Sequence, residues 1–542
     1  MPIRISLQGI KLDFSKFVFL VTAYFFLIFN YAFIEKTLEV YPFEASNIVF
    51  ILSLFLNVFF ALLILFSLIG LFKFKKTVFG FLILISSLAS FIMNHIGAPI
   101  DSLMFLNASQ TNINEALDLL SFKLFSSIFF LGVLPLLFLK MTTISKMSYK
   151  LRFFNFIKIL LVGLLFIGST VALQSKTYAT FFREHKILRT YVNPIGWIYS
   201  FQKYAKNQLK SERLEYKIIG EDSKIVHEPG HVEREIIILV IGETVRSDHV
   251  SLNGYAKKTF PLLEKENVFS FKNVSSCGTS TSISVPCMFS SLTREQFDIE
   301  KAASVSNVLD ILRDTNEVHV LWRDNNSDSK GVATRSAYEN FRDPVVNSVC
   351  EGECRDIGML NGLKEYIDNR KGEDILIVLH QMGNHGPAYY KRFPDEFGRF
   401  KPYCKTNELS DCSNDEIINA YDNALLYTDF FLSKVIELLK SYPNDESAMI
   451  YFSDHGESLG ENGVYLHGMP YFMAPKAQTH VPAIMWFGPR FLADIDSEKL
   501  KQRLNNSYNH DYLFHTLLNL FEVQTHLYDP KLDILDGLIN HN

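Results

Sequence analysis

Between Ser276 and Ser290 the chain strings Ser and Thr hydroxyls between two cysteines, Cys277 and Cys287. A Ser/Thr run is ordinarily a solvated loop, but its company here argues for a braced nucleophile. The apolar run Ile236–Ile241 ends in Gly242-Glu243-Thr244, and Ala448–Phe452 ends in Ser453-Asp454-His455-Gly456-Glu457, so both deliver metal-ligating side chains. Zinc takes carboxylate oxygen and imidazole nitrogen, and a catalytic site keeps one position open. Glu243, Asp454, His455 and Thr281 supply such a set. Neighbouring residues on a strand face opposite ways, so Asp454 and His455 can share an ion only at a strand-to-loop break, which Gly456 provides. A Thr hydroxyl is a poor nucleophile at neutral pH, and a divalent cation lowers its pKa without needing a neighbouring base. The same cation shields a phosphodiester from the incoming oxygen and stabilises phosphoryl transfer. The imidazole makes zinc the expected ion, since magnesium prefers octahedral oxygen. His385 and His467 stand in Gly-bounded loops, where a surface histidine is the ordinary reading; in this company they are expected to take a second metal or phosphate.

These residues need a frame. Ile236–Ile241, Val318–Trp322, Ile375–Leu379 and Ala448–Phe452 are short apolar runs of the buried-strand type, separated by helical stretches. The alternation predicts an α/β domain with a largely parallel sheet flanked by helices. Ligands bind beyond the carboxyl ends of such strands, where Glu243, Arg323 to Lys330, His380 to His385, and Asp454 with His455 fall.

The first third is apolar in a different way. Residues 15–34, 48–72, 77–96, 122–140 and 154–173 each suffice, at about 20 residues, to cross a hydrocarbon core as helices. Five such segments in a row argue against buried soluble helices, and the first is too long for a cleaved signal peptide. Arg4, Lys11 and Lys16, then Lys73, Lys75 and Lys76, then Lys140, Lys146, Lys150 and Arg152 fall on one side. The opposite loops carry Glu35, Glu39, Glu44, Asp101, Glu115 and Asp118 with the single Lys36, so the N-terminus is expected inside and the large C-terminal part outside. The net charge of −5 identifies no partner, and no nucleic acid is expected.

All six cysteines lie after the fifth segment, as expected where disulfides form. Cys277, Cys287, Cys350, Cys354, Cys404 and Cys412 form three close-spaced pairs. Pairing nearest neighbours is one of fifteen connectivities, and the spacings do not repeat as a zinc ribbon. A bond between Cys277 and Cys287 would contribute roughly 3 kcal/mol and fix the Thr281 backbone. Between the two parts, Arg183 to Lys217 mixes basic residues with Tyr191, Trp197, Tyr199, Phe201 and Tyr204. That composition suits a helix in the headgroup region, or equally one packed on the soluble domain. The expected domains are residues 1–175 in the membrane, 176–232 as an interfacial linker and 233–542 as the catalytic domain.

The segments Ile241 to Thr244, Cys277 to Thr281 with Ser284 to Cys287, Trp322 to Asn326, and Ser453 to Glu461 occur in an order that resembles the bacterial phosphoethanolamine transferases acting on lipid A, a group that includes the mobile colistin-resistance enzymes. The similarity covers essentially the whole chain. It implies a five-helix membrane bundle and a periplasmic alkaline-phosphatase-like domain in a bacterial inner-membrane protein. It also implies a zinc held by Glu243, Thr281, Asp454 and His455, with Thr281 forming a phosphoenzyme. His385 and His467 match positions for a further zinc or for phosphate; Asn326, Lys330 and His380 match positions around bound phosphoethanolamine; Asn107, Thr111 and Glu115 match residues that contact donor lipid. Ser282-Ile283 departs from the small-then-aromatic pair of close relatives and bears on substrate preference.

The resemblance implies transfer of phosphoethanolamine from phosphatidylethanolamine to lipid A phosphate by a monomer, with resistance to polymyxins and cationic peptides. Lipopolysaccharide core or another envelope acceptor is an alternative. A phosphoglycerol transferase of the lipoteichoic-acid type shares the metal-bound Thr. A sulfatase would need Cys or Ser at Thr281, and a non-enzymatic scaffold would not need every ligand type.

Overall fold

A computed structural model of the protein describes residues 11–111, 113–145, 147–211, 215–227 and 233–539, with backbone alone at 113–115, 184, 186, 210, 211 and 351. Arg4 and Lys146 lie outside the described residues, as does the side chain of Glu115. The chain packs as two compact units. One takes Leu120–Lys206 with the chain up to Phe105; the other takes Leu106–Leu119 with the chain from Asn207 onward.

In the first unit, helices α3 (Ile48–Ile69), α4 (Lys75–His95), α7 (Phe122–Met141) and α8 (Tyr149–Leu173) are long and apolar enough to span a membrane. Only 11% of the most apolar stretch of α8 and 17% of that of α7 is buried, which fits helices solvated by lipid and not by a protein core. The expected first span is broken: α1 (Phe14–Phe29) and α2 (Tyr31–Val40) meet at 56° around Asn30. Asn30 is fully buried and its Nδ2 donates to the carbonyls of Phe25 and Asn193, at 2.9 and 2.8 Å. A polar side chain competing for backbone at this depth, beside a π-helical turn at Phe25–Phe29, is a physical cause of the bend. Asn57, a polar residue buried inside the unit, bridges Tyr178 at 2.7 Å and Thr170 at 3.0 Å. Helices α9 (Ser175–Glu184) and α10 (Ile195–Ser211) follow α8; the short α5 (Ser102–Gln110) and α6 (Ile113–Asp118), which precede α7, fall mostly in the second unit.

The second unit is built on an eight-stranded sheet. Its strands are β1 (Glu235–Gly242), β2 (Phe269–Ser275), β3 (Val318–Asp324), β4 (Ala337–Asn340), β5 (Asp374–His380), β6 (Glu446–Ser453), β7 (His480–Phe487) and β8 (Ser507–Asn509), in the order β8-β2-β7-β6-β1-β5-β3-β4. β7 alone runs against its neighbours. All four expected strands are present. Alternate residues feed two cores: Ile236, Ile238 and Val240 on one face, Ile237, Leu239 and Ile241 on the other. Both faces are therefore covered by helices, among them α11 (Thr281–Met288), α12 (Asn414–Leu439) and α13 (Asp511–Leu520). β7 was illegible because Pro482 interrupts its apolar run; the register slips between Val481 and Ala483, which removes the need for a ladder N–H there. The described cysteines pair as Cys277–Cys287, Cys350–Cys354 and Cys404–Cys412.

Candidate active site

β1 and β6 are adjacent and parallel, with Ser453 opposite Gly242, so Glu243 and Asp454 leave the sheet side by side. Gly242 is required there: a Cβ would lie 2.1 Å from the Tyr451 hydroxyl. Gly456 is forced by the Ala477 carbonyl, 2.0 Å from where its Cβ would stand. Thr244, a β-branched residue, holds a φ of 58°, a strained conformation next to Glu243. Thr281 opens α11, so its own N–H and that of Ser282 have no intrahelical partner, while those of Ile283 and Ser284 donate to the Ser280 carbonyl at 3.0 and 2.9 Å. The loop before it is fastened throughout. Gly278 N donates to Ser284 Oγ at 2.9 Å, Thr279 Oγ1 to the Met469 carbonyl at 2.6 Å, and Cys277 N to His510 Nδ1 at 3.1 Å.

Glu243, Thr281, Asp454 and His455 converge in this second unit, all buried. Thr281 Oγ1 donates to Glu243 Oε2 at 3.1 Å and lies 3.4 Å from His455 Nε2. His455 Nδ1 sits 2.9 Å from the Gly456 carbonyl, an acceptor, so Nδ1 carries the proton and Nε2 presents a lone pair. That lone pair faces Asp454 Oδ2 at 3.2 Å and Glu243 Oε1 at 3.4 Å. Asp454 Oδ1 accepts from the main-chain N–H groups of Thr244 and His455, and no donor reaches Oδ2 among the described residues. Burial pushes the Asp454 carboxyl up to about 6 and, with the charge of His467, holds His455 well below its ordinary value. A neutral imidazole nitrogen that faces carboxylate oxygens of Asp454 and Glu243 at 3.2 and 3.4 Å is a donor set suited to a divalent cation. Glu243, Asp454 and His455 can hold it, their ligand atoms lying within 4.8 Å of one another.

Beside Thr281 is a cleft of about 60 Å³ whose lining includes Asn107, Thr111, Lys330, His385 and His467. Asn107 Oδ1 accepts from Ser282 Oγ. Lys330 Nζ donates to the Ser327 carbonyl at 2.9 Å. His467 Nδ1 is 2.7 Å from Glu457 Oε2, whose Oε1 accepts from Tyr389 at 2.6 Å. Burial and the nearby His467 hold His385 well below its ordinary value, and hence neutral. Asn326 and His380 stand one layer behind: Asn326 Nδ2 donates to Glu243 Oε2 and to the Gln381 carbonyl, each at 2.7 Å, and His380 Nδ1 pairs with buried Asp324 at 2.8 Å. Both side chains are buried; Asn326 reaches the site through Glu243, and His380 lies close enough to Asp454 to oppose the rise of its carboxyl. Ile283 packs on Gly278, where a Cβ would lie 2.7 Å from Ile283 Cγ2.

Three contributors were given no role of their own by the sequence. His510 ties the nucleophile loop to β6, its Nε2 donating to the Ser453 carbonyl at 3.0 Å, and burial drives it down to about 3. Asp356 accepts from the N–H groups of Met382 and Gly383, fixing the turn after β5. Glu457 lies in the Asp454 to Glu457 motif, but only the fold shows that it orients His467.

Residues 235–523 match the sulfatase family model, and residues 58–209 match the model described as phosphoethanolamine transferase EptA/EptB. The phosphatidylethanolamine transferase Mcr-2 of Escherichia coli is 41% identical over 508 residues, covering 91% of this chain and 92% of that one. The chain belongs to the EptA/EptB phosphoethanolamine transferases. This transferase is also 36% identical to EptA of Escherichia coli K12 over 97% of both chains. The integral membrane lipooligosaccharide phosphoethanolamine transferase A of Neisseria meningitidis superposes on it with a TM-score of 0.93, at 33% identity, covering 98% of this chain and 100% of that one. The transferase is thus a multi-pass membrane protein with an alkaline-phosphatase-like periplasmic domain.

Proposed function

We propose that the protein transfers phosphoethanolamine from phosphatidylethanolamine to a phosphate of lipid A through a covalent phospho-Thr281, as a zinc enzyme. The observation that carries this is the Thr281 hydroxyl donating into Glu243 beside His455 Nε2, whose lone pair faces Asp454 Oδ2 at 3.2 Å. A bound zinc would supply charge stabilisation of the transferring phosphoryl group and activation of the hydroxyl.

Thr281 Oγ forms a bond to the donor phosphorus, with its proton passing toward Glu243 Oε2, while the bond to the diacylglycerol oxygen breaks. The proton held at Glu243 Oε2 passes to that oxygen and diacylglycerol leaves. A lipid A phosphate oxygen then attacks the same phosphorus, the bond from phosphorus to Thr281 Oγ breaks, and Oγ regains its proton from the acceptor phosphate or water. The first-turn N–H groups of α11 and the Lys330 ammonium supply positive potential for the phosphoryl oxygens. His385 is held neutral by burial and the nearby His467, and so can offer the cleft an N–H or a nitrogen lone pair. Masking lipid A phosphate with an amine lowers surface charge and weakens polymyxin binding.

The test is mass spectrometry of lipid A, core oligosaccharide and total lipids from a Gram-negative host expressing wild type or Thr281→Ala. A phosphoethanolamine adduct on lipid A with wild type only is expected. An adduct on core alone would move the acceptor, and no adduct with well-expressed protein would overturn the reading.

A further inference from the structure

Residues 106–119 leave the membrane-spanning sequence yet belong to the compact unit of the catalytic domain. At one end Asn107 and Thr111 line the cleft, and the Gln110 carbonyl lies 3.5 Å from Lys330 Nζ. At the other end stands Asp118, a carboxylate that is only 5% exposed and that none of the chemistry above uses. Its Oδ2 accepts from Arg392 Nη2 at 2.8 Å, its Oδ1 from Lys391 Nζ, and its carbonyl from Asn407 Nδ2 at 2.6 Å. Arg392 is itself buried, and each face of its guanidinium is committed. Nη1 donates to Glu353 Oε2 at 2.6 Å, and Nε donates to the carbonyl of His385, also at 2.6 Å. Glu353 is aimed by the tight Cys350–Cys354 disulfide hairpin.

One buried guanidinium therefore grips the segment that carries Asn107 and Thr111, and also the main chain of a cleft histidine. A surface ion pair would be worth little. A buried one is different, because removing one partner strands the other charge in low dielectric. The segment contributes no strand to the sheet and its described residues are not part of either sheet core, so its release would open the cleft wall without dismantling the domain.

We propose that Asp118, Arg392 and Glu353 form an ion-pair latch that holds residues 106–119 over the nucleophile and thereby sets the affinity for the phosphoethanolamine headgroup of the donor. The three are positioning residues and touch no reacting atom; the proposal rests on the donor reading above.

The experiment uses the full chain in detergent micelles with acyl-chain-labelled phosphatidylethanolamine and lipid A at a fixed saturating concentration as acceptor, reading release of labelled diacylglycerol. Asp118→Asn is expected to raise KM about tenfold with kcat within about twofold, since uniform binding is lost and the chemistry is not. Free phosphoethanolamine should become a weaker competitor by the same factor. Asp118→Glu, which keeps the charge, should recover most of the wild-type KM, and Glu353→Gln should shift KM in the same direction by a smaller factor. If Asp118→Asn does not fold, Glu353→Gln carries the comparison. An unchanged KM in folded variants, or a fall in kcat that tracks lost thermal stability with KM constant, overturns the latch. A wild type that binds zinc but releases no diacylglycerol from this donor overturns the donor reading and with it the link to the headgroup.

Discussion

At the scale of single residues, the site is a convergence of lone pairs. Thr281→Ala should lower transfer about a thousandfold or more in folded protein, whereas Thr281→Ser keeps a hydroxyl and should keep part of the rate. Equal losses in both would sink the nucleophile assignment. Asn326 acts at one remove: it donates to Glu243 Oε2 at 2.7 Å, the oxygen that accepts from Thr281. Asn326→Ala should therefore weaken zinc binding by about 10- to 100-fold. Metal titration against a competing chelator reads this directly, and an unaltered affinity would mean that the carboxylate orients without its partner.

At the scale of elements, β1 and β6 do the positioning, and their packing is the stability they need. Leu239 is fully buried mid-strand in β1, so Leu239→Ala should cost about 2–5 kcal/mol in denaturant unfolding. A cost below 1 kcal/mol, on the order of a surface change, would contradict a close-packed core there. Helix α12 carries a proton-linked group. Burial pushes the Asp429 carboxyl up to about 7, although the N–H groups of Leu262 and Leu263 oppose the rise. The folded state thus binds this proton more tightly than the unfolded chain, whose value is 3.8. The contribution to stability is complete below pH 3.8 and is lost as pH rises through about 7, at about 1.4 kcal/mol per pH unit inside that window. Asp429→Asn should flatten the difference in unfolding free energy between pH 5 and pH 8; the same difference in both proteins would refute the assignment.

At the scale of the whole molecule, chemistry and lipid handling are carried by two units with different solvents. The α/β unit has two cores and needs no membrane to bury them, while α7 and α8 leave most of their apolar surface outward. Chelation should abolish transfer and lower the melting temperature of the catalytic unit, with zinc restoring both, because a ligand bound only by the folded state stabilises it by mass action. A melting temperature indifferent to chelator and zinc would argue that the buried lone pairs are satisfied in some other way.

The sequence by itself determined the elements whose signal is local. The continuous apolar runs of β1, β3, β5 and β6 read as strands buried on both faces, and the long apolar runs of α3, α4, α7 and α8, coming in succession, read as membrane-spanning helices. The close-spaced cysteines pair as proximity suggested, and the ligand types at the ends of β1 and β6 were legible because strand ends are where such sheets place chemistry. What is non-local was not legible. Pro482 hid β7, since only the neighbouring register shows that no ladder bond is needed there. Asn30 broke the first span through a hydrogen bond to Asn193, far along the chain. His510 and Asp356 brace the site from loops whose sequence gives no period or motif, and Asp118 read as a charge in an outward loop until the fold brought Arg392 to it. Periodicity and residue type fix what an element is; which buried charge finds which partner is decided only when the chain has closed, because a lone charge in low dielectric is intolerable and its partner is chosen by proximity in space.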